Sequence, residues 1–71
     1  MSVAKNIELS STSTKSFEDT INQGLERANK TLKNVKGAWI KEQKVTLEGG
    51  KIVEYDVMMI ITFVLDGDVD A

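Results

Sequence analysis

The stretch at residues 51–65, KIVEYDVMMIITFVL, constrains this chain more than any other. Read with a period of two, it puts Val53, Tyr55, Val57, Met59, Ile61, Phe63 and Leu65 on one face, which is apolar apart from a single hydroxyl. The alternate face carries Ile52, Glu54, Asp56, Met58, Ile60, Thr62 and Val64, charged at first and then apolar. A period of two belongs to a β-strand, and β-branched and aromatic residues without proline favour one. Because both faces turn apolar toward the C-terminal half, the segment predicts a central strand that needs cover on both sides. The apolar run at 57–65 is far shorter than the roughly 20 residues a membrane-spanning helix requires.

Cover on the second face is a problem for so short a chain. Its 71 residues predict one domain, spanning residues 1–71. A chain near this size buries only about 60% of its unfolded surface, and such chains commonly add disulfides, a metal or self-association. The sequence has no cysteine and no histidine. That removes disulfides, the ordinary zinc, copper and haem sites, and the commonest general base. Self-association remains, and a strand with two apolar faces points the same way. With nine basic and eleven acidic residues the net charge is −2, so no basic footprint argues for nucleic acid. The opening MSVAKNIELSS lacks the apolar segment of a secretory leader. Together with the missing cysteines this gives a cytoplasmic expectation, with no membrane partner.

Taken in order, residues 3–9 alternate and predict a first strand, and the hydroxyl-rich residues 10–14 predict a loop. Ser16-Phe17-Glu18-Asp19 resembles a capping box that opens a helix, with both acids at its positive end. Phe17, Ile21, Leu25, Ala28, Leu32 and Val35 draw one apolar stripe, ending near Asn34 and Gly37. Gly24 within it predicts the close approach of a neighbouring element. A second strand is expected at about 38–48. Ala38 and Ile40 are out of phase with Val45 and Leu47, which predicts a bulge near Glu42-Gln43. Gly49-Gly50 then makes a two-residue hairpin turn into the long strand. The acidic tail at 66–71 is expected to be loose. The order is β-α-β-β. With a crossover between the first two strands and a hairpin returning into the gap, the predicted sheet is antiparallel with spatial order 1-3-2, covered on one face by the helix.

Little here supports catalysis. The serines and threonines have no histidine to activate them, and no lysine sits in a clearly apolar setting, so the expectation is a binding protein and not an enzyme. Glu54 and Asp56 share a strand face, an arrangement that serves either acid–base work or a solvated edge. Asp66, Asp68 and Asp70 look like the start of a calcium loop that lacks its closing glutamate. Trp39 falls opposite in parity to Ala38 and Ile40, so its indole points away from the subunit's own core. It suits either plugging an oligomer interface or stacking on a planar ligand.

Ser16-Phe17-Glu18-Asp19-Thr20-Ile21, Arg27-Ala28-Asn29-Lys30-Thr31-Leu32, Trp39-Ile40-Lys41-Glu42-Gln43 and Gly50-Lys51-Ile52-Val53-Glu54-Tyr55, in that order and spacing, make the chain resemble the dodecin family. The resemblance covers nearly the whole chain. It implies an α+β fold, a β-α-β-β sheet wrapped on one helix and assembled as a hollow homododecamer. In that family flavins (riboflavin, FMN or FAD) stack in pairs between tryptophans of neighbouring subunits, and are stored or sequestered. The cofactor-binding residues it implies here are Trp39, Asp56 and Lys44. Many flavin-binding members have glutamine where this chain has Asp56, and their tryptophan falls on Gly37, two residues before Trp39 and with the same parity. Lys44 aligns with a basic residue that meets phosphate-bearing ligands in bacterial members. The alternative is a dodecin-like shell without flavin, acting as a structural or cation-sequestering assembly.

Overall fold

In the computed structural model, which describes residues 3–65, the long strand is β3 (Lys51–Val64), and it runs down the middle of a three-stranded sheet. β1 (Ala4–Ser13) and β2 (Val35–Glu48) flank it, both antiparallel to it, giving the order β1-β3-β2. The helix α1 (Phe17–Thr31) connects β1 to β2 and packs on one face of the sheet. Val57, Met59 and Ile61 of β3 are buried with Ala28 of the helix, and Ile7, Leu9, Ile21, Leu25 and Ile40 close around them. The core is therefore the face that alternation assigned to it. The acidic tail and its Asp66, Asp68 and Asp70 lie outside the described residues.

The hydroxyl-rich segment after Leu9 is not a loop. β1 continues through Ser10, Ser11, Thr12 and Ser13, which pair with Met58, Val57, Asp56 and Tyr55. Local competition for backbone hydrogen bonds loses here because β3 offers a complete ladder, and the hydroxyls find partners off the strand. Ser11 Oγ donates to the Thr20 carbonyl at 2.9 Å, and Ser13 Oγ donates to the Asp19 carboxylate at 2.6 Å. The helix starts as its serine predicts: Ser16 is extended, and its Oγ accepts from the Asp19 N–H at 3.0 Å. Asp19 turns its carboxylate to Ser13 and to Gln23, at 2.6 Å each. The bond from Ser13, then that from Gln23, holds its carboxyl below the ordinary aspartate range. Thr20 is wholly buried, with its hydroxyl 2.7 Å from the Ser16 carbonyl and 3.2 Å from that of Tyr55, which ties the first helical turn to β3.

The helix ends at Thr31, sooner than the stripe suggests, and Leu32 closes it with a bond to the Ala28 carbonyl at 2.9 Å. Asn34 makes the turn at φ 60°, a conformation that asparagine tolerates better than most residues, so β2 begins at Val35 rather than near Ala38. Leu32 and Val35 still pack on the core, which is why they continue the stripe without continuing the helix. The predicted bulge is present one position early: Ile40 pairs with Met59 and Glu42 with Met58, leaving Lys41 as the extra residue. Two further slips fall between Val35 and Gly37 and between Thr46 and Leu47, the latter setting Leu47 opposite Ile52. Gly49 and Gly50, at φ 59° and 79°, turn the hairpin as two left-handed residues must.

The close approach at Gly24 is real. A Cβ there would stand 2.9 Å from Met59 Cε and 3.3 Å from Ser11 Cβ. Met59 Cε ends a flexible side chain but a fully buried one, and Ser11 Cβ is fixed to the backbone of β1. Gly24→Leu is expected to lower stability by about 1–3 kcal/mol through overpacking, despite leucine's better helix propensity. The same change at exposed Asn22 should stay within about 0.5 kcal/mol. Thermal denaturation of both variants checks the comparison, and equal effects would mean that the helix–sheet distance is not set by Gly24.

The molecule is long, 55 × 19 × 13 Å. A 15-residue helix covers only about 22 Å, whereas a 14-residue strand runs to about 46 Å. The β2–β3 hairpin therefore projects beyond the helix, and Leu47, Ile52 and Val53 at its end stay 40–56% exposed.

Candidate functional site

The site residues implied by the sequence lie on the sheet face opposite the helix. Trp39 pairs with Ile60, one position from the core residues Met59 and Ile61, so its side chain projects to the uncovered side. It is 71% exposed, the most exposed of the large apolar residues described. Asp56 and Lys44 stand directly opposite each other across β3 and β2, with Thr12 of β1 on the other side of Asp56. The fold thus brings Asp56 and Lys44 together. It leaves Trp39 four positions along β3, roughly 13 Å away at 3.3 Å per residue. A planar ligand stacked on Trp39 meets Asp56 either by lying along the strand or through another copy of the chain.

Around Asp56 the sheet forms a groove of about 320 Å3, lined by Ser10, Thr12, Lys44, Glu54, Asp56 and Met58 among others. Thr46 Oγ1 donates to Asp56 Oδ2 at 2.9 Å. The other oxygen, Oδ1, is shut off from solvent and has no hydrogen-bond partner in the structure. Glu54 is the next residue on the same face and pairs with Thr46 across the ladder. When protonated, Glu54 can donate to Asp56, and that bond, then the negative charge of Asp56, pushes the Glu54 carboxyl above the ordinary range. The same bond, followed by that from Thr46, lowers Asp56, and the Lys44 ammonium adds to that lowering. The alternation of β3 already placed Glu54 and Asp56 on one face. Thr46 was missed, because only the slipped register of β2 reveals that it reaches Asp56.

Farther along the face, Lys41 reaches over to Glu8 of β1 at 3.4 Å, both side chains being about half exposed (50% and 48%). Such a pair contributes little to stability. Lys41 makes this contact from the bulge position, where the extra residue leaves the regular alternation. Among the described residues no group of three or more acidic residues, cysteines or histidines could hold a metal ion. No helix among them is long and apolar enough to cross a membrane.

This architecture is similar to a set of solved structures. A single-site variant of the Thermus thermophilus dodecin superimposes with a TM-score of 0.88 at 33% identity, over 93% of this chain and 98% of that one. Dodecin from Streptomyces davaonensis gives 0.86 at 28% identity, over 92% and 96% of the two chains. A Mycobacterium tuberculosis protein described as a calcium dodecin shares the fold, with a TM-score of 0.79 at 21% identity over 99% and 100%. No curated protein sequence matches. The dodecin family profile matches residues 3–66. With the β-α-β-β order, the 1-3-2 sheet and that match over nearly the whole chain, the protein belongs to the dodecin family.

Proposed function

We propose that this protein binds flavin between subunits of a closed homododecameric cage in the cytoplasm, and stores or sequesters it without turnover. The observation that carries this reading is Trp39, an indole 71% exposed on a sheet face that the chain's own helix leaves bare. Leaving so large an apolar ring in water forgoes the free energy of its burial, unless a ligand or another copy covers it. The uncovered hairpin end, with Leu47, Ile52 and Val53, calls for neighbouring copies in the same way. Membership of the dodecin family supports flavin as the ligand class. Twelve copies of the 7.8 kDa chain give about 94 kDa, in a closed point group where each contact repeats. Native mass spectrometry showing mainly monomer or dimer at micromolar concentration would end the cage reading. Quenching of riboflavin, FMN and FAD fluorescence tests the ligand. A cage that leaves all three unquenched would instead be the flavin-free shell.

Asp56 sets how well the ligand is held. A flavin's pyrimidine edge shows a carbonyl, an N–H and a second carbonyl in a row. Ionised aspartate only accepts, so it serves the N–H and repels the carbonyl, whereas a carboxamide serves both. Where Glu54 is ionised as well, Asp56→Gln is therefore expected to tighten flavin binding, roughly 5- to 150-fold for one mismatched polar pair restored. Fluorescence titration measures it, and weaker binding in that variant would show that Asp56 has a different part. In this reading Lys44, opposite Asp56, meets the phosphate of FMN or FAD.

A further inference from the structure

We propose that Glu54 and Asp56 hold one proton between them, and that this proton is the donor the groove presents to a ligand edge of adjacent carbonyl and N–H groups. The ligand half of the proposal rests on the flavin reading above; the shared proton does not.

The argument starts from the occluded oxygen. Asp56 Oδ2 takes the hydroxyl of Thr46 at 2.9 Å, and a hydroxyl has only one hydrogen to give. Asp56 Oδ1 is left without solvent and without a donor. An ionised oxygen in that state carries the full cost of its desolvation. The surrounding elements offer little relief. β1 presents only neutral Ser10, Ser11 and Thr12 to the groove, and α1 is on the far side of the sheet. β2 presents Lys44 opposite Asp56, exposed and without a hydrogen bond to Oδ1, and Glu42, a further acid. Glu8 is engaged by Lys41. The remaining neighbour is Glu54, on the same face of the same strand. A proton on Glu54 turns that carboxyl into a donor for Oδ1, and removes the repulsion between two like charges at once. The opposed shifts of the two groups, Glu54 up and Asp56 down, are those of a pair that loses its protons in two linked steps.

With one proton aboard, the pair shows one donor and one acceptor, the complement that a single carboxamide would show. A flavin edge inserted between the two exchanges partners without net loss. Glu54 O–H turns from Asp56 to the ligand carbonyl, and the ligand N–H replaces it on Asp56 Oδ1. Once the pair has lost its last proton it can only accept, and binding must recover a proton from solvent. Affinity is then expected to fall about tenfold per pH unit above the upper titration step, which is the slope for one linked proton. The cage in this account takes up flavin at lower pH and releases it as the pH rises.

Two measurements on the assembled protein test the two halves separately. In an infrared titration of the ligand-free protein, the last protonated carboxyl band should vanish at higher pH than that of the other acids. Glu54→Gln should delete that final step. Carboxyls that all titrate together, or a final step that survives Glu54→Gln, would overturn the shared proton. Riboflavin titrations across pH should show the tenfold slope in the wild type and a flat profile in Glu54→Gln, whose carboxamide donates at every pH. A flat wild-type profile, or the same slope in both, would overturn the linkage. If riboflavin binds at no pH while the infrared step is present, the ligand half falls with the flavin reading and the shared proton stands.

Discussion

Trp39→Ala is expected to abolish flavin binding at micromolar ligand while leaving the fold intact. Once Glu54 and Asp56 have both lost their protons, Asp56 makes one hydrogen bond fewer than a glutamine would, so stacking then has to supply most of the affinity. Stacking of one planar base on an aromatic ring is worth about 1–3 kcal/mol by alanine substitution, or roughly 5- to 150-fold. In a cage where flavins stack in pairs between tryptophans, one substitution removes the indole from every side of every site. The subunit itself should hardly notice. Trp39 is 71% exposed and does not belong to the core cluster, so stability should stay within about 0.5 kcal/mol. Trp39→Phe, which keeps a smaller stacking surface, is expected to bind with intermediate affinity. Fluorescence titration and thermal denaturation of both variants check the pair of statements. Unchanged affinity in Trp39→Ala would remove the indole from the site.

Ile60→Lys should prevent assembly. Ile60 lies beside Trp39 on the face away from the helix, half-buried within the subunit and with Met58 and Val64 in the same row. A lysine there places a charge at the same point of each repeated contact. Stripping an unpaired ammonium of water costs several kcal/mol per ion. A closed shell multiplies that by its number of copies. Glu8 sits opposite Ile60 but is already held by Lys41, so it offers the new charge only a contested partner. Ile60→Glu, which would face Glu8 as a like charge, should disrupt at least as strongly. Native mass spectrometry is expected to show the species near 94 kDa replaced by one or a few chains, with flavin binding lost in parallel. A fully assembled Ile60→Lys protein would mean that the row of Met58, Ile60 and Val64 does not form the contact.

What this sequence determined by itself is the part that depends on local and periodic physics. Alternation in residues 51–65 named the core face, and Val57, Met59 and Ile61 are buried on it. Gly49-Gly50 turned the hairpin, Ser16 capped the helix, and the phase break in β2 marked a bulge within a residue or two of Lys41. Each rests on a constraint that needs no distant partner: a two-residue period, a positive φ, an unsatisfied N–H. The tertiary structure decided the rest. Ser10 to Ser13 became strand because β3 offered them a ladder, and the helix gave way at Leu32 because Val35 had a place opposite Phe63. The surroundings of Asp56 were the least legible of all. Thr46 lies ten residues before it, and reaches Oδ2 only because a hairpin turn and the register of β2 bring the two strands into step there. Which oxygen is satisfied and which is left alone depends on how separate strands are set against each other, and a pattern along one strand carries no information about that.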